Sequence, residues 1–475
     1  MKNKKFFLAG LAIFAFIACN NEIVNPLPDI NSEIQAKGYL TVTLTDPPVT
    51  RTIGGTDAGT EEERAIKSLT VVFTDVNGVI SSVINPTVSA TGVSEKFQVA
   101  LGEHYVYALV NNPIEFTGGN IDSIISVAAE VEALSGYKEG SFLMVNKCNS
   151  GSENAGVRTV IDDGNSINNP ARVDIQVDRV ACKIYHDKST QLTDIEPLIT
   201  ATGNFINNVE VIGFAVLNVN KDFNLVQKWN KNNVGIDDLS EEVLSTPLYP
   251  GGEADLVADQ YFRNIGYYTT MTKIDNTDEI ISIAINSFGE GKDPFDNDTV
   301  YTTENRPTIF DTEGELTAGR GETTGVIFKI QAKKGESNSE TFYRYKNVIH
   351  EDLEVIKTMP EFAGKEIESM EAPQLRTHGI QVYEDGIMYY TYFVRDPNVA
   401  HQYKGKNYYG VIRNSSYKLS IKSISSIGDD VPGGAVTDPG ARGEPGNPLI
   451  DTKEAYIDVA LIVNKWVLNT IEIDF

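Results

Sequence analysis

Apolar residues recur at every second position in most patterned stretches of this 475-residue chain. A period of two buries one face only when the backbone is a β-strand. In Gly38-Tyr-Leu-Thr-Val-Thr-Leu-Thr45, Leu40, Val42 and Leu44 share one face, and Thr41, Thr43 and Thr45 share the other. Leu69, Val71 and Phe73 repeat the pattern, and Asp75-Val-Asn-Gly78 is a turn signal after them. Phe97, Val99 and Leu101 form a further strand, followed by His104 to Val110. Val173 to Val177 and Val180 to Ile184 differ in apolar phase, which predicts a bend near Asp178-Arg179. Later strands are predicted at Val209 to Val216, Ile281 to Ile285, Val326 to Ile330, Ile387 to Val394 and Tyr417 to Ile421. One helix is predicted from the spacing of Ile121, Ile124, Ile125, Ala128 and Val131, with Gly136 as its cap. The class is therefore all-β with a minor helix, and short strands between turn signals predict sandwich domains.

The first 51 residues read as an address and a removable part. Lys2, Lys4 and Lys5 precede an apolar run, Phe6 to Ala18, that is too short to span a membrane as a mature helix. Phe16-Ile17-Ala18-Cys19 matches a lipobox, so residues 1–18 are predicted to be a signal peptide and Cys19 the lipidated residue. Residues 19–51 form a propeptide that holds the Gly38–Thr45 strand and ends at Arg51 in a Pro-rich, Gly-rich stretch. A cut at Arg51–Thr52 removes the anchor and the strand together and leaves a vacant strand position. Arg64 is a competing site, but it lies against a strand that starts near Ile66, and nicking concentrates in exposed loops. The body divides into a first sandwich, 52–200, and a second, 201–475, with a weakly patterned stretch between them.

At the C-terminus, Ile457, Val459, Leu461 and Val463 alternate with small or polar residues, and Ile471, Ile473 and Phe475 do the same. These segments, about 455–475, are strands that need a sheet, either in their own domain or in a second molecule. Lys+Arg number 40 against 66 Asp+Glu, a net charge of −26, which repels nucleic acid and anionic lipid surfaces. Of three cysteines one is assigned to lipid; Cys148 and Cys182 either pair in an oxidising compartment or remain two buried thiols.

Enzymatic signatures are missing from the sequence: there is no nucleophile elbow, His-Glu-x-x-His, P-loop or Cys-x-x-Cys. The five histidines are scattered, and Asp293, Asp296 and Asp298 depart from the EF-hand spacing, so neither catalysis nor a metal or other cofactor is expected. Trp229 and Trp466 stand among strand residues and read as packing groups.

The chain resembles the fimbrillins of the Bacteroidota, the major subunits of type V pili. The resemblance is carried by the lipobox at Cys19, the strand-then-arginine segment Tyr39 to Thr52, and Ala65-Ile-Lys-Ser-Leu-Thr-Val-Val-Phe73. It continues through Val177-Asp-Arg-Val-Ala-Cys-Lys-Ile184, Tyr408 to Ile421, and the closing Val459 to Trp466. It implies two tandem transthyretin-like β-sandwiches and export through the periplasm as an outer-membrane lipoprotein precursor. It also implies cleavage at Arg51 by an arginine-specific, trypsin-like protease, then head-to-tail assembly at the cell surface by strand exchange with a C-terminal strand. The implied partners are further copies, accessory fimbrial subunits, and host or bacterial surface receptors, with roles in adhesion and biofilm formation. The loops 286–324 and 429–448 match no part of that pattern. Two alternatives stand beside it: a monomeric glycan-binding lipoprotein, and an accessory or tip subunit.

Overall fold

The computed structural model describes residues 36–45, 56–57, 59–116, 118–121, 125–127, 141–148, 155–187, 194–195, 198–200, 203–217, 219–220, 222–227, 229–230, 246–247, 261–262, 270–271, 283–284, 295, 299–304, 324–394, 410–424, 427–432 and 457–466. Nearly all regular structure among them is strand, as the alternation predicts.

The first set of strands is β1 (Lys37–Thr45), β3 (Leu69–Thr74), β4 (Ile80–Ile84), β5 (Phe97–Ala100), β6 (Gly102–Val110), β8 (Met144–Asn146), β9 (Val157–Ile161) and β10 (Ala171–Arg179). They follow the order β4-β3-β6-β8-β10-β1-β5, with β9 also paired to β6. The path folds over because β10 serves both layers. Its residues Ala171 to Gln176 pair with β1, and Val177 to Arg179 pair with β8. Between the layers lies one core: Leu40, Val42 and Leu44 of β1 meet Val71 and Phe73 of β3, Val106, Ala108 and Val110 of β6, and Val173, Ile175 and Val177 of β10. The opposite face of β3 and β6 is covered as well, by a cluster of Val72, Tyr107, Leu109, Leu143, Val145, Leu225 and Val226. That second cover explains why all six residues of β3 are buried instead of every other one.

A second sandwich is built from β11 (Ala181–His186), β12 (Asn208–Leu217), β13 (Thr299–Thr303), β14 (Gly325–Lys334), β15 (Ile387–Phe393), β16 (Ser415–Ile424) and β17 (Ile457–Trp466). One layer runs β17-β16-β11-β13, and the other centres on β14 between β12 and β15. Cys182, Ile184, Tyr417, Leu419 and Ile421 from the first layer pack against Phe214, Val216, Val326, Phe328, Met388 and Tyr390 from the second. Beyond this sandwich, short helices α2 (Leu353–Lys357) and α3 (Ala372–Thr377) close a small core around Ile356, Phe362, Ile367 and Leu375.

Two expectations change, and one left open is settled. The chain passes from β10 to β11 through Val180 alone, and β11 pairs with β13 and β16. The sheets therefore divide at Val180, not near residue 200, because the expected bend carries the strand from one sandwich to the other. The helix expected over 121–131 is not formed in its middle. Ile125–Val127 (β7) is a strand paired with Asp222–Asn224, a partner almost a hundred residues away. Cys148 and Cys182 are both unbridged. Cys148 lies in the cluster on the outer face of β3, and Cys182 lies in the second sandwich, where its thiol donates to the Thr302 carbonyl at 3.3 Å.

No helix among the described residues is long and apolar enough to cross a membrane. Because both thiols are buried in separate cores, a reductant leaves the unfolding midpoint unchanged, and non-reducing denaturation titrates free thiols at both positions. Thermal scans with and without reductant, with thiol counting in denaturant, check this.

Candidate functional site

Strand β1, expected from the sequence to be removable, occupies an interior position in its sheet. β1 runs parallel to β10 in the register Leu40↔Ala171 through Thr45↔Gln176. On its other side it runs antiparallel to β5, from Lys37↔Ala100 to Leu40↔Phe97. Further bonds fix it from neighbouring loops: the Val42 amide donates to Ser94 Oγ at 2.9 Å, the Leu44 amide to the Gly92 carbonyl at 2.9 Å, and the Tyr39 amide to the Asn165 carbonyl at 2.8 Å. Leu40 and Val42 are 0 % exposed and Leu44 is 2 % exposed. Taking β1 out strips the ladder bonds from two strands at once and uncovers three core side chains, worth about 5–9 kcal/mol of apolar burial.

The segment after the expected cut is fastened by a polar knot that the sequence does not announce. β2 (Thr56–Asp57) pairs with the outer edge of β17, in the register Thr56↔Lys465 and Asp57↔Trp466. Next, α1 (Glu61–Arg64) begins with a capping box: the Glu63 amide donates to Thr60 Oγ1 and the Thr60 amide to Glu63 Oε2. The helix turns Glu63 inward, where it is 2 % exposed. There the Lys183 ammonium stands 2.9 Å from Glu63 Oε1, and the Tyr301 hydroxyl donates to the same carboxylate. Burial first, and this acidic partner second, push the Tyr301 hydroxyl far above its ordinary value, so it remains a donor. Buried Arg179 donates through Nε to the Glu63 carbonyl at 3.1 Å and through a terminal nitrogen to Asn414 Oδ1 at 3.2 Å. Asn414 has a positive φ of 57°, a conformation asparagine tolerates, and its own amide donates to the Ala181 carbonyl at 2.7 Å.

Asp57 completes the knot. Its carboxylate accepts from Ser416 Oγ at 2.6 Å and from the Gly59 amide at 2.8 Å, and Lys183 Nζ lies 3.6 Å away. Burial alone raises its pKa, but those three donors outweigh it and hold the group below the ordinary 3.8. The knot thus ties α1 and β2 to β11, β13 and β16, the strands on which β17 depends.

Other expected site residues fall as follows. Cys19, Arg51 and Thr52 lie outside the described residues, as do Ile471, Ile473, Phe475 and the Asp293, Asp296 and Asp298 loop. Ile457, Val459, Leu461 and Val463 lie on β17, which pairs over its length with β16 and so has a place in its own sheet. Arg64 closes helix α1 and donates to the Thr60 carbonyl at 3.3 Å, a helical setting that disfavours protease entry. The knot residues Asp57, Glu63, Arg179, Lys183, Tyr301 and Asn414 were missed. Two faint signals existed: Thr60-x-x-Glu63 is a capping-box pattern, and Lys183 interrupts an apolar run. Among the described residues no cluster of His, Cys, Asp or Glu is arranged to hold a metal ion.

Glu63→Ala leaves the Lys183 charge buried without its main partner and lowers stability by about 3–5 kcal/mol, measured by denaturant unfolding. Asp57 behaves differently because its folded pKa is depressed. Its contribution is complete above pH 3.8 and is lost as pH falls through the folded value. The stability gap between wild type and Asp57→Asn therefore closes below that pH, which a series of melts at decreasing pH reads directly.

The model of the C-terminal part of fimbrillin, the type IV major fimbrial subunit protein, matches residues 381–472. That span includes β15, β16 with Asn414 and Ser416 just before or within it, and β17. No curated protein matches the chain in sequence. Among solved structures it is similar to a fimbrilin from Porphyromonas gingivalis W83, at 14 % identity and TM-score 0.43, over 91 % of this chain and 98 % of that one. A tip fimbrial protein from Porphyromonas gingivalis is similar at 11 % identity and TM-score 0.32, over 91 % and 100 %. A fimbrial assembly protein from Parabacteroides distasonis ATCC 8503 also has 11 % identity and TM-score 0.32, over 82 % and 92 %. The family match is therefore to the C-terminal part of fimbrillin, and it spans residues 381–472 of this chain.

Proposed function

We propose that this chain is the structural stalk subunit of a cell-surface fimbria, assembled by replacing one strand with another. The observation that carries the reading is the place of β1: an interior strand, buried on its apolar face, joined to the body only through residues 46–55. Cleavage at Arg51–Thr52 detaches it, together with Cys19 and its lipid, and opens a slot between β5 and β10. An open slot of that kind has unpaired backbone donors and acceptors and an apolar floor, so it accepts an extended segment from a second copy. The donor is the C-terminal strand that carries Ile457, Val459, Leu461 and Val463, or the segment with Ile471, Ile473 and Phe475. Donor and slot lie in different sandwiches, so the contact is head-to-tail and builds a filament instead of a closed dimer.

The same cut bears on the donor. β2 covers the outer edge of β17 and lies five residues beyond Arg51 at its nearest, so cleavage leaves it close to a free chain end. Knot residues on β2 and α1 then decide how readily β17 is uncovered. Lipidation at Cys19 holds the uncut precursor at the outer membrane after export through the periplasm, and an arginine-specific, trypsin-like protease releases it. Further copies and accessory fimbrial subunits are the assembly partners, and adhesion and biofilm formation are the resulting cell-surface roles.

Low-dose trypsin on the unlipidated protein yields a new N-terminus at Thr52 and high-mass ladders on native gels. Arg51→Ala abolishes both. Polymers formed by uncut Arg51→Ala protein contradict the reading, as does a protein cut at Thr52 that stays monomeric.

A further inference from the structure

We propose that the slot left by β1 accepts the next subunit's C-terminal segment in a single register, with Ala455 at the Gly38 position and Ile457, Val459 and Leu461 in the places of Leu40, Val42 and Leu44. This assignment rests on the strand-exchange reading above and names the donor within it.

The slot is shaped at one end by an absence of space. Gly38 is buried, and a Cβ there would stand 2.5 Å from Ile161 Cγ2, 3.0 Å from the Asp162 carbonyl oxygen and 3.3 Å from Asn165 Cβ. Those are the contacts an alanine Cβ already makes, so a donor alanine enters only as the Ile161 side chain gives way, and every larger side chain demands a greater shift. Three apolar pockets follow at Leu40, Val42 and Leu44, and the last is walled by the backbone near Gly92, where a Cβ would come within 3.0 Å of Leu44 Cβ. Along its other edge, β10 sets Arg172 opposite Thr41 and Asp174 opposite Thr43.

The removed strand reads Gly38-Tyr39-Leu40-Thr41-Val42-Thr43-Leu44, and the C-terminal segment reads Ala455-Tyr456-Ile457-Asp458-Val459-Ala460-Leu461. Small residue, tyrosine, branched aliphatic, valine and leucine fall in the same order. Tyr456 takes the position of Tyr39, whose hydroxyl accepts from Gln98 Nε2 at 3.0 Å. Asp458 comes opposite Arg172, and the uncharged Ala460 comes opposite Asp174.

Other threadings conflict with the slot. Moving the donor two residues further brings β-branched Ile457 against Ile161, and moving it two back leaves Ala455 in the Leu40 pocket and Lys453 at Gly38. Reversing the strand so that Leu461 fills the Leu40 pocket sends Val463 to the Gly38 position. The segment ending at Phe475 puts Asn469 at Gly38, Asp474 opposite Asp174, and a phenylalanine in a leucine pocket.

The test uses protein cut after Arg51 and synthetic peptides as chain terminators. A peptide of residues 453–463 binds the cut subunit and stops polymer growth. The same peptide with Ala455→Val binds roughly tenfold more weakly or worse, and Ile161→Ala in the acceptor restores it. Asp458→Arg in the peptide weakens binding, and Arg172→Asp in the acceptor rescues it, a reversal that general destabilisation does not produce. Equal binding of the Ala455→Val peptide, or tighter binding of a 467–475 peptide, overturns the register while strand exchange stands. If neither segment binds the cut protein, the strand-exchange reading itself fails, and this inference with it.

Discussion

The first sandwich hangs on the hydrogen bonding of one interior strand, β1. A sheet tolerates the loss of an edge strand, because the new edge faces water. It does not tolerate the loss of β1, which supplies backbone partners to β10 on one side and β5 on the other and seals the core with Leu40, Val42 and Leu44. The pairing with β10 is parallel, so β1 needs no hairpin connection to that neighbour and can be supplied by a separate chain with no change of topology. Under the proposed cleavage, the sheet is complete while β1 is attached and incomplete once it is removed.

The buried knot around Glu63 places the rest of the constraint at the boundary between the two sandwiches. β10 and β11 are continuous apart from Val180, and Arg179 and Lys183 on either side of that step reach the same glutamate. The segment Asp57 to Arg64 is thereby fixed to the step between the sandwiches and, through Asp57 and Ser416, to the strand that pairs with β17. Buried ion pairs of this sort add less net stability than their contacts suggest, but removing one partner is costly, so they define a geometry that is hard to vary piecemeal.

Much of the fold was legible because alternation is local. β1, β3, β10, β12, β14, β15, β16 and β17 all coincide with predicted apolar runs, and the phase change at Asp178-Arg179 marked the step from one sandwich to the next. What failed was non-local. Ile121 to Val131 has helical spacing, yet Ile125–Val127 becomes a strand because Asp222–Asn224 offers it a ladder. The boundary was set too late because nothing in Val180 to Ile184 says which sheet it joins. Glu63 and Lys183 are 120 residues apart and look like ordinary surface charges in sequence; only the fold makes them partners. The slot itself was half legible: the apolar face of β1 could be read, whereas the crowding at Gly38 depends on Ile161 and Asn165 arriving from a distant hairpin.

The most direct measurement is amide hydrogen exchange at Phe97–Ala100 and Ala171–Gln176, the two strands that flank β1, followed in the uncut precursor, the cut subunit and the assembled polymer. The account predicts slow exchange in the precursor, fast exchange after the cut, and slow exchange again in the polymer as a new strand occupies the slot. Exchange that stays slow after β1 has been removed, or that stays fast in the polymer, would contradict it.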